Sequence, residues 1–600
     1  MLHVFESGCA AERLTAAREF LAEVSTSADV IVVGNSRDSA DDLVRCVSMG
    51  SPATLGLHRF SMLQLAVRFA APEMARWSLA PSTPLGTEAL AARVTFEVMQ
   101  RGELNHFAPV GARPGFAPAL AASIHELRAC GVTASALEQL GNAGIDLARL
   151  LREFEAQLSS IGLVDRSALF GMATSAVKSR TDSLVGVPIV LLDVAIQGCA
   201  EREFIATLCS CTPRTLATVP AGDERTLSAL GKIQSERNSA PLNSETSLQR
   251  LQNYVFSDLP SDSYPKDGQV CLFSAPGEGR ECVEIARRLL DEAKNGVAFD
   301  EMAILVRTPG TYAPLLEAAL GRAGIPAYFA RGTSRPDPAG RAFVVLLACA
   351  VEGFSAKRFA EYLSLGQVPL LTKEGTPPGD REIWSQAAGE EIPSTPTGEV
   401  PTESEETSEH HKDSDAEPVI AGTLRTPRRW EELLVEAAVI GGKERWARRL
   451  DGLAAELRLK IAGLQKVEPE SPRLIALERQ IGNLEHLRRF ALPVIEELAA
   501  LPKQANWGEW LQAMEHLAPM ALRYPVHVLS VLAELRPMAA IGPVTLDEVH
   551  QVLAKRLTHL EVEPPRRRFG CVFIGTPEQA RGRSFNTVFV PGLAERVFPQ

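Results

Sequence analysis

Residues 187–208 read VPIVLLDVAIQGCAEREFIATL. The run Val187–Asp193 is apolar almost without a break, the pattern of a short strand buried on both faces. The stretch 200–209 behind it reads as a helix. Strand followed by helix is the repeating unit of a parallel α/β sheet. Toward the N-terminus the unit recurs: Leu2–Phe5 is a strand, Glu12–Val24 a helix, Asp29–Gly34 (DVIVVG) a strand and Asp38–Val47 a helix. It recurs again downstream, with strand Gln269–Phe273 (QVCLF), helix Gly279–Lys294, strand Glu301–Val306 (EMAILV) and helix 311–323. Gly324 and Pro326 are stop signals for that last helix. Strands return once more at Cys571–Gly575 (CVFIG) and Thr587–Val590 (TVFV).

Between these units the period changes. From about 85 to 178 Leu137, Leu140, Ile145, Leu147, Leu150 and Leu151 recur at near-helical spacing. From about 340 to 560 the helical pattern dominates again. Trp446, Leu450, Leu453, Leu457, Ile461 and Leu464 step by three or four residues and form one apolar face. Ser471–Pro472 is a cap and first turn for a helix holding Leu474, Leu477, Ile481 and Leu484. The sequence therefore predicts an α/β chain with two parallel-sheet domains, each interrupted by helices. The first comprises 1–84 plus 179–233, with a helical insertion at 85–178. A polar linker spans 234–267. The second comprises 268–340 plus 569–600, incomplete as it stands, with a helical insertion at 341–568.

Composition bounds the alternatives. Six hundred residues, 45% hydrophobic and 23% charged, are ordinary globular usage and exclude a chain made mostly of repeats or disorder. There is no apolar run of about 18 residues to span a membrane, and MLHVFESGCAAERL lacks the basic start of a secretion signal. Ten cysteines without a CxxC pair, only Cys209 and Cys211 being close, suit reduced thiols in a cytoplasm. The net charge of −12 is unevenly placed. Residues 390–417 hold ten acids and one lysine, a local −9 that leaves the rest near neutral at −3. This tract is rich in Pro, Ser, Thr and Glu and has no aromatic residue, so it reads as a disordered insertion rather than as a metal site at His410–His411.

Ligands of open parallel sheets collect beyond the carboxyl ends of the strands. Four such places carry candidate chemistry. FESGCAAERLT (5–15) has the position of a phosphate loop; laid on GxxxxGK[ST] from Gly8, the second glycine becomes Arg13, the lysine becomes Leu14, and Thr15 remains. Without the lysine this is a degenerate nucleotide site, and an ordinary strand–helix turn is the expected reading. Asp193 ends its strand as a magnesium-anchoring acid would, but Val194 follows where a second acid would activate water, so a structural aspartate is preferred. Arg307 ends EMAILVR and could meet a nucleotide's terminal phosphate, a carboxylate or a DNA phosphate. TPEQARGRSF (576–585) combines a hydroxyl, a glycine, Arg581 and Arg583, which suits contact with a nucleic-acid backbone. Arg566–Arg568 adds positive charge just before it.

Taken in order, these pieces resemble superfamily 1 helicases of the UvrD/RecB type, and within them the B subunit of AddAB-type helicase–nucleases. The stretches that carry the resemblance are TLGLHRFSMLQLA (54–66), RPGFAPALAASIHELRACGV (113–132), 187–208 at the Walker B place, 275–330 at the entry into the second motor domain, and VFIGTPEQARGRSFNTVFVPGLAERVFP (572–599). The last is similar to motif V, TxHxxKGLEF: Thr576, Gly582 and Phe585 match, with Glu578 at the histidine, Arg581 at the lysine and Ser584 at the glutamate. The resemblance implies two RecA-like lobes and a role in DNA double-strand-break processing, repair and recombination. It implies nucleotide contacts at Gly8, Arg13, Thr15, Asp193 and Arg307, degenerate here, and DNA contacts at Thr576, Glu578, Arg581 and Gly582. It further implies single-stranded or end-bearing double-stranded DNA and an A-type helicase–nuclease subunit as partners. ATP and Mg2+ belong to the complete complex, while the nuclease and the iron–sulfur cysteines would lie beyond Gln600. A helicase-like body without catalysis in this chain is thus the leading expectation; an active ATP-driven helicase and a non-catalytic scaffold for a motor subunit are the alternatives.

Overall fold

The computed structural model describes residues 2–594 apart from 25–27, 51–54, 114, 232–234, 240–245, 255–266, 370–418, 421–422, 425–426, 469, 563 and 566–567. The acidic tract 390–417, Arg566 and Arg567 lie outside the described residues. In the first half, β1 (Leu2–Ser7), α1 (Ala10–Glu23), β2 (Val30–Gly34), α2 (Arg37–Met49), β3 (Leu57–Ser61) and α3 (Met62–Arg76) alternate. The chain then leaves the sheet for α4 (Pro84–Gln100), α5 (Phe116–Ala129) and α6 (Gly141–Ser160). It returns through α7 (Arg166–Lys178) to β4 (Ile189–Leu192), α8 (Cys199–Cys211), β5 (Thr215–Pro220), α9 (Glu224–Gly231) and β6 (Ser235–Ser239). The six strands are all parallel in the order β3-β2-β4-β5-β1-β6.

The apolar runs read in the sequence are explained by two covered faces. Side chains alternate across a strand. Val30 and Val32 accordingly meet Ala17, Phe20 and Leu43 of α1 and α2. Ile31 and Val33 meet Leu65, Phe69, Phe170 and Phe204 of α3, α7 and α8. Helix α7 falls within the span 85–178, yet its Leu169, Phe170, Ala173 and Val177 belong to this sheet's core. Strand β6, inside the stretch 234–267, lengthens the sheet beside β1.

In the second half come α10 (Glu278–Lys294), β7 (Met302–Leu305), α11 (Pro309–Ala323) and β8 (Ala327–Phe329). A long helical excursion follows: α12 (Pro338–Val351), α13 (Ala356–Ser364), α14 (Lys443–Val467), α15 (Pro472–Ala500), α16 (Trp507–Ala521) and α17 (Leu546–Thr558). The chain comes back as β9 (Val572–Gly575) and β10 (Thr587–Phe589). The second sheet is parallel in the order β8-β9-β7-β10. Helices α10 and α11 cover one face, packing Ile285, Leu289, Leu316 and Leu320 on Met302, Ile304, Val572 and Ile574. On the other face Ala303, Tyr328 and Phe573 pack against Ala580 and Phe585 from the loop after β9. Residues 269–273, predicted as a strand, pair with no strand among the described residues, and Leu272 is 86% exposed.

The helical excursions of the two halves share one core. Leu90, Val94 and Leu151 of the first join Phe343, Trp446, Phe490, Trp510 and Leu557 of the second in a single buried cluster. Helix α4 touches α17, and Thr83 at the start of α4 donates to the Glu534 carbonyl at 3.5 Å. Ser471 caps α15 as predicted, accepting from the Arg473 amide.

Candidate functional site between the two sheets

Only Gly8 and Cys9 separate β1 from α1. Ser7 Oγ accepts from the Cys9 amide at 2.9 Å and donates to Glu12 Oε2 at 2.5 Å, drawing the turn tight. A backbone cradle for phosphate needs several successive N–H groups turned to one point, and a two-residue connection does not supply them. Gly8 is exposed. Thr15 is exposed too, its hydroxyl spent on the Ala11 carbonyl one turn back. Of the residues expected around a nucleotide, the structure brings together Arg13 and Asp193.

That pair is buried, at 5% and 1% exposure. Arg13 Nε lies 2.9 Å from Asp193 Oδ1, and Nη2 lies 2.9 Å from Oδ2. The remaining nitrogen, Nη1, donates to the Ser7 carbonyl at 2.6 Å. Thr218 at the middle of β5 donates to Asp193 Oδ1 at 2.8 Å and accepts from the Asp193 amide at 3.0 Å. The fork-on-fork geometry of guanidinium and carboxylate is the strong form of the ion pair, and the extra donors meet the condition under which a buried pair is tolerated. Asp193 sits at φ +49°, the left-handed region that aspartate enters more readily than bulkier residues.

The second sheet closes this site. After β2 the chain turns outward to β3, and after β4 it turns the other way to β5, so a crevice opens between the carboxyl ends of β2 and β4, the usual ligand position in open α/β sheets. The loop 576–583 fills it. The Gly582 amide donates to Asp193 Oδ2 at 3.0 Å. Asn35, just past β2, donates to the Glu578 carbonyl at 2.8 Å. Gly582 is at φ +72°, and a Cβ there would stand 3.1 Å from the Leu192 side chain and 3.3 Å from Ser39 Cβ. The left-handed φ is what favours glycine here, and a side chain would also oblige Leu192 and Ser39 to give way slightly.

Arginines of the second sheet meet acids of the first along the same seam. Arg581 donates to the Asp193 carbonyl at 2.8 Å and to Asp223 Oδ2 at 2.6 Å. Arg583, 6% exposed, and Arg568 both donate to Asp42 Oδ2, at 2.9 and 3.0 Å. Tyr328 donates to Asp38 at 2.6 Å. Burial alone would raise the Asp223 carboxyl; the hydrogen bonds from Arg581 and Thr226 outweigh it and hold the group below its ordinary range. Burial and the neighbouring Asp38 carboxylate push the Tyr328 hydroxyl up.

Of the residues expected to touch DNA, Arg581 and Gly582 meet the first sheet across this seam; Thr576 is 9% exposed and bonds within its own loop. Glu578 turns its carboxylate outward. Its carboxyl is held below the ordinary range by the Thr576 hydroxyl, against burial, with help from Arg307 and Arg331. Thr218, Asp223, Asn35, Asp38 and Asp42 escaped sequence reasoning. The first two belong to or follow TLATVP (215–220), a β-branched run whose signal for a strand was present.

A site for Mg2+ and ATP does not fit these residues. Both oxygens of Asp193 accept from Arg13, and all three guanidinium nitrogens are engaged within the chain. Among the described residues no group of three or more His, Cys, Asp or Glu could hold a metal ion. Nor is any helix among them long and apolar enough to cross a membrane. No protein-family model matches the chain, and no curated protein does.

Proposed function

We propose that this chain is a helicase-like body that holds DNA without turning over ATP, in the processing of double-strand-break ends beside a motor-bearing partner subunit. In this reading the two parallel sheets are RecA-like lobes. The order of the resembling stretches along the sequence supports the family, and one observation supports the loss of the motor. The Arg13–Asp193 pair, closed over by Gly582, takes the place where a nucleotide hydrolase needs an empty crevice and a carboxylate free to reach a cation. A metal-binding carboxylate must offer a lone pair to the ion, and both Asp193 oxygens already accept two or more hydrogen bonds. A phosphate-binding cation must be reachable, and Arg13 is buried with each of its nitrogens bonded within the chain. The engagement of Arg581 with Asp223 favours a second reading, a non-catalytic scaffold for the motor subunit, because that guanidinium is committed inside the protein.

The purified 600-residue chain tests both. The expected result is no ATP hydrolysis with or without DNA, together with single-strand binding that weakens steeply as salt rises, because phosphate contacts release counterions. ATP hydrolysis abolished by Asp193→Ala would overturn the reading in favour of an active helicase. Absence of DNA binding at low salt would leave the scaffold.

A further inference from the structure

The arginines on the seam between the sheets are paired, but two on the second sheet are not. Arg307 follows β7 and Arg331 follows β8, the strands on either side of β9. The loops leave side by side: the Val306 amide donates to the Gly575 carbonyl and the Ala330 amide to the Ile574 carbonyl, both at 2.8 Å. Strands lie about 4.8 Å apart, so the two arginines start roughly 10 Å from each other across β9, a gap that two long side chains can close. Both are exposed, and among the described residues neither has an ion-pair or hydrogen-bond partner. Between them, on the loop after β9, stands the outward carboxylate of Glu578, anchored through its carbonyl to Asn35 of the first sheet. Helix α11 begins two residues beyond Arg307 without a side-chain cap, adding the positive end of its dipole.

We propose that Arg307 and Arg331 form a phosphate-binding pair for a single nucleic-acid strand at the mouth of the seam, with Glu578 as a nearby anion whose charge opposes the phosphate. This rests on the DNA-holding reading and gives it a location different from Arg581 and Gly582 of motif V, which are engaged with the first sheet. The chemistry is backbone recognition, so the base sequence of the strand is immaterial. An acidic peptide or a free nucleotide would meet the same two charges, and the test separates them.

Fluorescence anisotropy of labelled oligo(dT) with the full chain, at stepped NaCl, is the measurement. Arg307→Ala combined with Arg331→Ala should weaken binding at least tenfold at low salt. It should also flatten the plot of log affinity against log salt by about 1.4, since each single-strand phosphate contact contributes roughly 0.7. Glu578→Gln should tighten binding several-fold, a gain that a damaged fold cannot produce. Wild-type affinity and slope in the double variant would overturn the site while leaving the DNA reading intact. Competition by polyglutamate or ATP as effective as by unlabelled oligonucleotide at equal ionic strength would overturn the choice of ligand. A wild-type chain that binds no oligonucleotide would overturn this proposal and the DNA reading together.

Discussion

Asp193 is the residue on which both sheets converge. Its side chain answers to Arg13 and Thr218 of its own sheet and to Gly582 of the other, while its carbonyl receives Arg581. Removing one member of a buried ion pair leaves the other uncompensated and costs about 3–5 kcal/mol, whereas replacing both with neutral groups is often mild. Arg13→Ala should therefore lower stability by roughly that amount in urea unfolding. Arg13→Met combined with Asp193→Asn should lose less, since no uncompensated charge is left behind and the single amide oxygen of asparagine can still accept from Thr218. A double variant as unstable as the sum of the singles would show that the two side chains act independently. The sequence exposed half of this arrangement. It placed Arg13 in the turn after the first strand and Asp193 at the end of another, and marked the missing lysine. It could not disclose that the arginine turns back on the aspartate, because that depends on β5 supplying Thr218 from a strand the apolar pattern had not separated.

Among the elements, the buried strands were the most legible. Residues 30–33 and 187–192 carry apolar side chains on both faces because helices cover both faces of the sheet. Residues 269–273 have a similar run and form no strand, since a strand is completed by a neighbour that local sequence does not name. Helix α7 was assigned to the insertion by its period, which tells which face is apolar but not what it faces. The crossing of α12 and α17 is a sharper case. Gly340 looks like a weak point in α12, and alanine is the better helix former by up to about 1 kcal/mol. A Cβ at 340 would stand only 1.8 Å from the Leu557 carbonyl oxygen. Gly340→Ala should therefore destabilise despite its propensity, by about 1–3 kcal/mol or more, seen as a lower Tm; an unchanged or raised Tm would mean that the two helices can separate freely.

Over the whole molecule, the two helical excursions are one body although the chain visits it in two passes. Periodicity found both passes and kept them apart, because amphipathic faces do not identify their partners. Leu90 is fully buried in the common core. Leu90→Ala should cost about 2–5 kcal/mol and hasten amide exchange in α17 as well as in α4. Faster exchange confined to residues 84–178 would mean that the two passes unfold separately. The shared body also sets an order of events during synthesis. The Thr83–Glu534 hydrogen bond joins residues 451 positions apart. At about 5–20 residues per second, the apolar faces of α4 and α6 wait roughly 20 to 90 seconds on the ribosome before the second pass arrives to cover them. For that interval the nascent first half is a client for chaperones, and a ribosome stalled before residue 338 would release a chain whose sticky half has no mate.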